Sequence, residues 1–290
     1  MGVVVADLAR RTAGKAAERF LQEQGITSLP IDPRAIAEAI GIAVIEKPDT
    51  SAGVSGALIK VDNQFVIAFA THIRSEGFRR FSIGHELGHY LLEGHAEALL
   101  PVGQEMHQSQ AGYRSDDKYE READHFSARL LMPNPMFAQA MRSAGEGLDA
   151  IMSLASLCET SLLATANRYI EETDLPMAMV VSSGQRIEYA FLSDELKEFR
   201  GITWPKKGSA VPAVPTATFN RVDANVRNAQ RENNESDLRD WFGGNRSVPL
   251  TEEIVGLGDY GRTLTVLSTD TFADDDDEDV DLEERWTPRF

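Results

Sequence analysis

The spacing of apolar and polar positions divides the chain into a mixed first part and a strand-rich last part. Residues from about Ala6 to Gln24 carry a helical pattern, and Asp32-Pro33 ahead of AIAEAIG supplies an N-cap, a first-turn proline and a closing Gly41. Two helices therefore precede any strand. IAVIEK (42–47), GALIKVD (56–62) and QFVIAFA (64–70) are short and rich in β-branched residues, with Asp62-Asn63 as a tight turn, and predict a small antiparallel sheet. From Ser75 to Gly94, the positions of Phe78, Phe81, Ile83, Leu87, Leu91 and Leu92 predict a helix packed on that sheet. Met106 to Lys118 is polar and reads as a loop. Asp116 or Asp117 then caps a helix from about Tyr119 to Met132, stopped by Pro133, and Asn134-Pro135 restarts a short one. Leu148 to Glu159 and Ser161 to Glu172 read as two helices joined by a tight turn, an outline shared with helix-turn-helix units. The second of these carries only Arg168 as a strong base, which favours two helices closing a core. From Met177 onward strands dominate: AMVVSS, RIEYAFLS after a Gly184 turn, and RTLTVLST (262–269). The pattern as a whole is α+β.

Composition narrows the classes open to such a chain. With 290 residues and 42% hydrophobic content it can bury one large or two ordinary cores, which excludes disorder throughout. Cys158 is the only cysteine, so no internal disulfide forms, and within MSLASLCE it reads as a small core residue. The N-terminal residues lack the apolar core of a signal peptide, and nowhere do about 18 uncharged apolar residues run together. The expectation is a soluble cytoplasmic protein with no membrane association. Of the net charge of −17, the last residues from Asp270 to Phe290 carry −8, through ten acids against Arg285 and Arg289. Asp274 to Asp279 form an unbroken acidic run that reads as a solvated, disordered tail, with a contact for a basic partner as the sharper alternative. So acidic a molecule is repelled by phosphates, which disfavours direct nucleic-acid binding.

The chemistry centres on His85-Glu86-Leu87-Gly88-His89. On a helix, residues four apart share a face, so both imidazoles can reach one ion while Glu86 stands close enough to act as a base. Chance places such a pentapeptide in a chain of this make-up roughly one time in a hundred. A hydrolytic zinc site needs a third protein ligand and an open position. Two residues compete for that role. His95 has the metzincin spacing, but Leu92 stands where that pattern has a helix-breaking glycine, leaving Gly94 to turn the chain. Glu120 opens Glu120-Arg121-Glu122-Ala123-Asp124, where a Glu and an Asp four residues apart can supply a ligand and an acceptor for a ligand imidazole, the gluzincin arrangement. Glu120 is the stronger of the two, against the plain reading of acids at a helix start.

As a set, these segments resemble the ImmA/IrrE family of bacterial metallopeptidases. RFSIGHELGH (80–89) is similar to the family's Arg-Phe-Thr-(Leu/Ile)-Ala-His-Glu-(Leu/Ile)-Gly-His, and EREADHFSARLLMP (120–133) to its second signature; Gly84 and Ser127 each stand where the family has alanine. The resemblance extends more loosely over about Ala6 to Arg168. It implies a Zn2+ site on His85, His89 and Glu120, Glu86 as the catalytic base and Asp124 as acceptor for a ligand histidine. It also implies a zincin-like endopeptidase whose substrate is a helix-turn-helix repressor.

The implied organisation is a peptidase domain over residues 1–145, a helical linker resembling helix-turn-helix over 146–175, a C-terminal α/β domain of GAF-like architecture over 176–269, and the acidic tail over 270–290. The alternative is a binding or sensing protein in which zinc only stabilises the fold and the C-terminal domain does the work. Of His72, His107 and His125, all left outside the catalytic set, only His125, beside Asp124, is expected near the metal. Tyr113 and Arg114 are oxyanion candidates, and Arg80 reads as an anchor for the motif helix.

Overall fold

The computed structural model describes residues 2–48, 53–62, 64–73, 75–109 and 117–273, with side chains from Arg11 onward. The chain divides into two units, one formed by residues 1–144 and 152–164 and the other by 145–151 and 165–290. The architecture is α+β. Among the described residues, no single helix is long and apolar enough to cross a membrane.

In the first unit, α1 (Gly2–Glu23) buries Ala13, Ala17 and Leu21 at four-residue spacing, and α2 (Pro33–Ala39) starts where the Asp32 carboxylate accepts from the amides of Arg34 and Ala35 at 2.9 and 3.2 Å. The strands β1 (Ala43–Lys47), β2 (Gly56–Val61) and β3 (Gln64–Ala70) follow. Then come α3 (Glu76–Leu91), the short α4 (His95–Leu99), β4 (Met106–Ser109) and α5 (Lys118–Leu131). The sheet runs β1-β3-β2-β4.

Two details depart from the pattern-based expectation. β1 pairs with β3 in parallel, Ala43 opposite Val66, so the sheet is mixed and not wholly antiparallel. The polar stretch after Met106 opens as a strand, β4, antiparallel to β2 at the sheet edge. A strand with one free edge has little apolar demand, which is why four residues reading MHQS can form it. The core below the sheet gathers Leu58, Ile67, Ile83, Leu87, Phe126 and Leu130, so α3 lies between the sheet and α5.

Three further helices, α6 (Asn134–Ala144), α7 (Gly147–Cys158) and α8 (Leu162–Glu172), lead to the strands of the second unit. α7 and α8 meet at a bend of 115°. The second unit is built on an antiparallel sheet ordered β6-β5-β9-β8-β7: β5 (Met177–Ser183), β6 (Arg186–Leu192), β7 (Arg231–Asp237), β8 (Pro249–Gly256) and β9 (Thr263–Ser268). Short helices α9 (Asp194–Lys197), α10 (Pro215–Phe219), α11 (Asp223–Arg227) and α12 (Leu238–Phe242) join them, and Val180, Phe199, Trp241, Phe242 and Leu267 share its core. The acidic run from Asp274 lies outside the described residues.

Candidate metal centre

Burial on both sides gives α3 an unusual inner face. Ser75 caps its start by accepting from the Phe78 amide at 3.3 Å, and the Arg80 guanidinium ties its first turns to the Ile31 carbonyl and to Glu159. Two turns on, His85, Glu86 and His89 are fully shielded from solvent. Three charged or polar side chains in a helix interior cost several kcal/mol unless something compensates them.

The compensation is mutual. His85 Nε2 and His89 Nε2 face each other at 3.0 Å, and the Glu120 carboxylate from the first turn of α5 closes the triangle, Oε2 3.4 Å from His85 Nε2 and Oε1 3.3 Å from His89 Nε2. Ligands about 2.05 Å from a tetrahedral zinc stand about 3.3 Å from one another. The two imidazoles stand at about that spacing, and with one carboxylate oxygen of Glu120 all three ligand atoms lie within 4.8 Å of one another, a group able to hold a metal.

Asp124, one turn after Glu120, meets His85 Nδ1 at 2.8 Å, which turns that ring's Nε2 toward the centre. The protonation of the metal-free cluster follows from these contacts. Burial alone would lower the His85 pKa, but Asp124 and Glu120 override it and raise it to about 10. His89, lacking a direct carboxylate on Nδ1, is lowered by burial to about 3. Burial works to raise Glu120, yet hydrogen bonds with His107, His85 and His89 hold it well below the usual carboxylate range.

Glu86 stands apart. Neither of its oxygens has a partner of good hydrogen-bond geometry among the described residues, the Ser109 hydroxyl being near enough only for a weak interaction, and burial pushes its pKa up to about 7 although His85, Ser109 and His107 pull the other way. Room for it comes from Gly56 on β2, where a Cβ would lie 2.7 Å from Glu86 Oε1. The carboxylate is thus a buried, unsatisfied acceptor beside a metal-sized cluster, with a proton affinity near neutrality.

His85, Glu86, His89, Glu120 and Asp124 all come together here. His95 does not join the triangle: α3 ends at Leu91, Gly94 turns in the left-handed region (φ 78°), and His95 returns behind His89, its Nδ1 3.2 Å from His89 Nδ1. His107, outside the sequence-based set, lies on β4 with Nε2 2.9 Å from Glu120 Oε1 and its ring 5.2 Å from that of His89. Reading β4 as a strand is the signal that would have found it, since pairing of His107 with Leu58 fixes its position. Tyr113 and Arg114 lie outside the described residues.

Comparison with known proteins picks out the same part of the chain. Residues 37–169 match the model of a peptidase family described as the IrrE N-terminal-like domain. The radiation response metalloprotease IrrE of Deinococcus radiodurans is 28% identical over 103 residues, which span 36% of this chain and 30% of that protein. A solved structure of a Mycobacterium tuberculosis transcriptional regulator superposes with a TM-score of 0.56 at 14% identity, over 89% of this chain and 76% of that one, a likeness of fold. Residues 37–169, which carry the triangle of His85, His89 and Glu120 on α3 and α5, thus match the IrrE N-terminal-like family of peptidases.

Proposed function

We propose that the protein is a zinc-dependent endopeptidase in which His85, His89 and Glu120 hold the ion and Glu86 is the catalytic base. The observation that carries this reading is the unpartnered, fully buried Glu86 carboxylate one residue along from His85. A centre that only stabilised the fold would require the three ligands but no unsatisfied acid beside them. Two imidazoles and one carboxylate are the donor set of hydrolytic zinc. When bound, the ion supplies Lewis acidity, polarising a carbonyl and making a water easier to deprotonate.

The chain's residues do the rest. Glu86 takes the proton of the attacking water on a side-chain oxygen and returns it to the leaving amine, work suited to a carboxylate whose oxygens are not already engaged by the protein. Asp124 holds the His85 ring in the tautomer that presents Nε2, and His107 steadies the Glu120 carboxylate from β4.

The substrate reading is a helix-turn-helix transcriptional repressor, supported by the family resemblance, with the C-terminal unit as the sensory part that governs cleavage. Its five-stranded antiparallel sheet flanked by short helices is the support for a GAF-like role. The test is zinc content together with cleavage of a co-expressed repressor by wild type and Glu86→Gln. One zinc per chain with cleavage that requires Glu86 upholds the proposal; zinc-loaded protein that cuts no such substrate moves the function to binding or sensing.

A further inference from the structure

The three proposed ligands differ in what supports them from behind. His85 leans on a carboxylate, Asp124, and Glu120 on an imidazole, His107. His89 Nδ1 instead faces His95 Nδ1 at 3.2 Å, and His95 Nε2 reaches Glu122 Oε2 at 3.0 Å. His95 is 1% exposed, aimed by the Gly94 turn, with the Tyr119 ring against it edge-on at 4.9 Å between centroids.

Proton counting gives this row of groups one direction. The Glu122 oxygen 3.0 Å from His95 Nε2 is placed to accept, which puts the hydrogen of that contact on His95 Nε2. A neutral imidazole carries a single N–H, so His95 Nδ1 is an acceptor. His89 Nδ1 must then donate, which leaves the His89 Nε2 lone pair pointing at His85 Nε2 and Glu120. Reversing any one step places two hydrogens between facing nitrogens or a proton where an ion would sit. The carboxylate at the far end also polarises the row and makes His89 a stronger donor to a cation.

We propose that His95 and Glu122 are positioning residues of the metal centre, a relay in which a second histidine passes the pull of a carboxylate to the ligand His89. The residue whose spacing competes for the third ligand position thus serves as that ligand's support. The inference rests on the reading of His85, His89 and Glu120 as a metal site. With Glu120, Glu122 and Asp124 all on α5, one helix supplies a ligand and both carboxylates that orient the two histidines.

The test measures the zinc dissociation constant of the full chain by chelator competition, and the visible spectrum of the cobalt(II) form, for three variants. His95→Phe fills the space but accepts nothing, and is expected to weaken zinc about 10–100-fold and shift the cobalt bands. His95→Asn keeps an acceptor, Oδ1, near the position of Nδ1, and recovers part of the loss. Glu122→Gln, altered at a side chain 23% exposed, keeps the fold and weakens zinc less than His95→Phe. If His95→Phe does not fold, Glu122→Gln and His95→Asn decide. Wild-type affinity and an unchanged cobalt spectrum in all folded variants overturn the relay. An Asn variant no better than a folded Phe variant overturns the acceptor argument on which the relay depends. A wild type that takes up neither zinc nor cobalt defeats the metal-centre reading itself, a separate outcome.

Discussion

Glu86 in the first unit and Glu252 in the second are both fully sealed from solvent, yet their surroundings differ in kind. Glu252 accepts from the Thr216 amide and hydroxyl at 2.7 Å each and from the Trp241 indole N–H at 2.9 Å, while Thr216 meets Thr265 at 2.8 Å. Nearby, Asn220 is satisfied by Ser182, Gly184 and Thr263. These contacts bind β5, β8 and β9 to the helices that cover them. Glu86 has nothing comparable, and a glycine opposite keeps space around it. A buried charge whose acceptors are all used is part of the architecture; one left open costs stability and is retained for chemistry. The contrast sets the carboxylate proposed as reactive in the first unit against a structural one in the second.

The largest expected effect tests the reactive side. Glu86→Gln should lower the cleavage rate by roughly 10³-fold, within the range for loss of a general base, while the melting temperature holds or rises because an uncompensated buried charge has gone. A melting temperature that collapses would make Glu86 structural and erase the contrast. Next comes the architectural side: Glu252→Ala leaves the Thr216 and Trp241 donors without an acceptor and should destabilise the second unit by about 3 kcal/mol in denaturant titration. Zinc content of that variant, measured while it is folded, should stay at the wild-type value.

A smaller effect concerns how closely α5 approaches α3. A Cβ on Gly84 would lie 2.6 Å from Ser127 Oγ, and Ser127 donates to the Phe81 carbonyl at 2.7 Å. The two departures from the family's alanines therefore compensate each other. Gly84→Ala should cost about 1–3 kcal/mol by overpacking, and the double variant with Ser127→Ala should cost less than the two single changes together. Additivity within error would show the pair to be independent.

The smallest step is in pH. Because His85 is raised to about 10 in the metal-free protein, a proton occupies the centre at neutral pH and must leave as the ion enters. Zinc affinity should therefore rise by up to about tenfold per pH unit between pH 6 and 8, and calorimetry in buffers of different ionisation enthalpy should register the released proton. A flat profile would mean that the cluster holds no such proton.

The site was legible because its residues stand four apart on two helices, His85 and His89 around Glu86 on α3 and Glu120 and Asp124 on α5, in segments that resemble a known family. Helical spacing converts such pairs directly into geometry. The rest depends on information that spacing does not carry. The parallel pairing of β1 is a property of chain crossover, and the placement of His95 depends on one left-handed turn at Gly94. β7 reads RENNESD because it lies at a sheet edge, and β8 hides its alternation because Glu252 occupies an inward position between Leu250 and Ile254. Polar edge strands and buried, fully bonded acids do not show in apolar alternation.

The arrangement of ligands on α3 and α5 has a mechanical consequence. An ion held by His89 and Glu120 is a cross-link between two points of the chain, closing the segment from 89 to 120 in the way a disulfide closes a ring. For a ring of that size, chain-entropy arguments put the restriction of the unfolded state at about 3–4 kcal/mol. Within that segment lie α4 and β4, and so both His95 and His107. An ion bound at the proposed site would thus act as a clasp on the stretch of chain that carries two of its own supporting residues, stabilising the first unit by what it takes from the freedom of the unfolded chain.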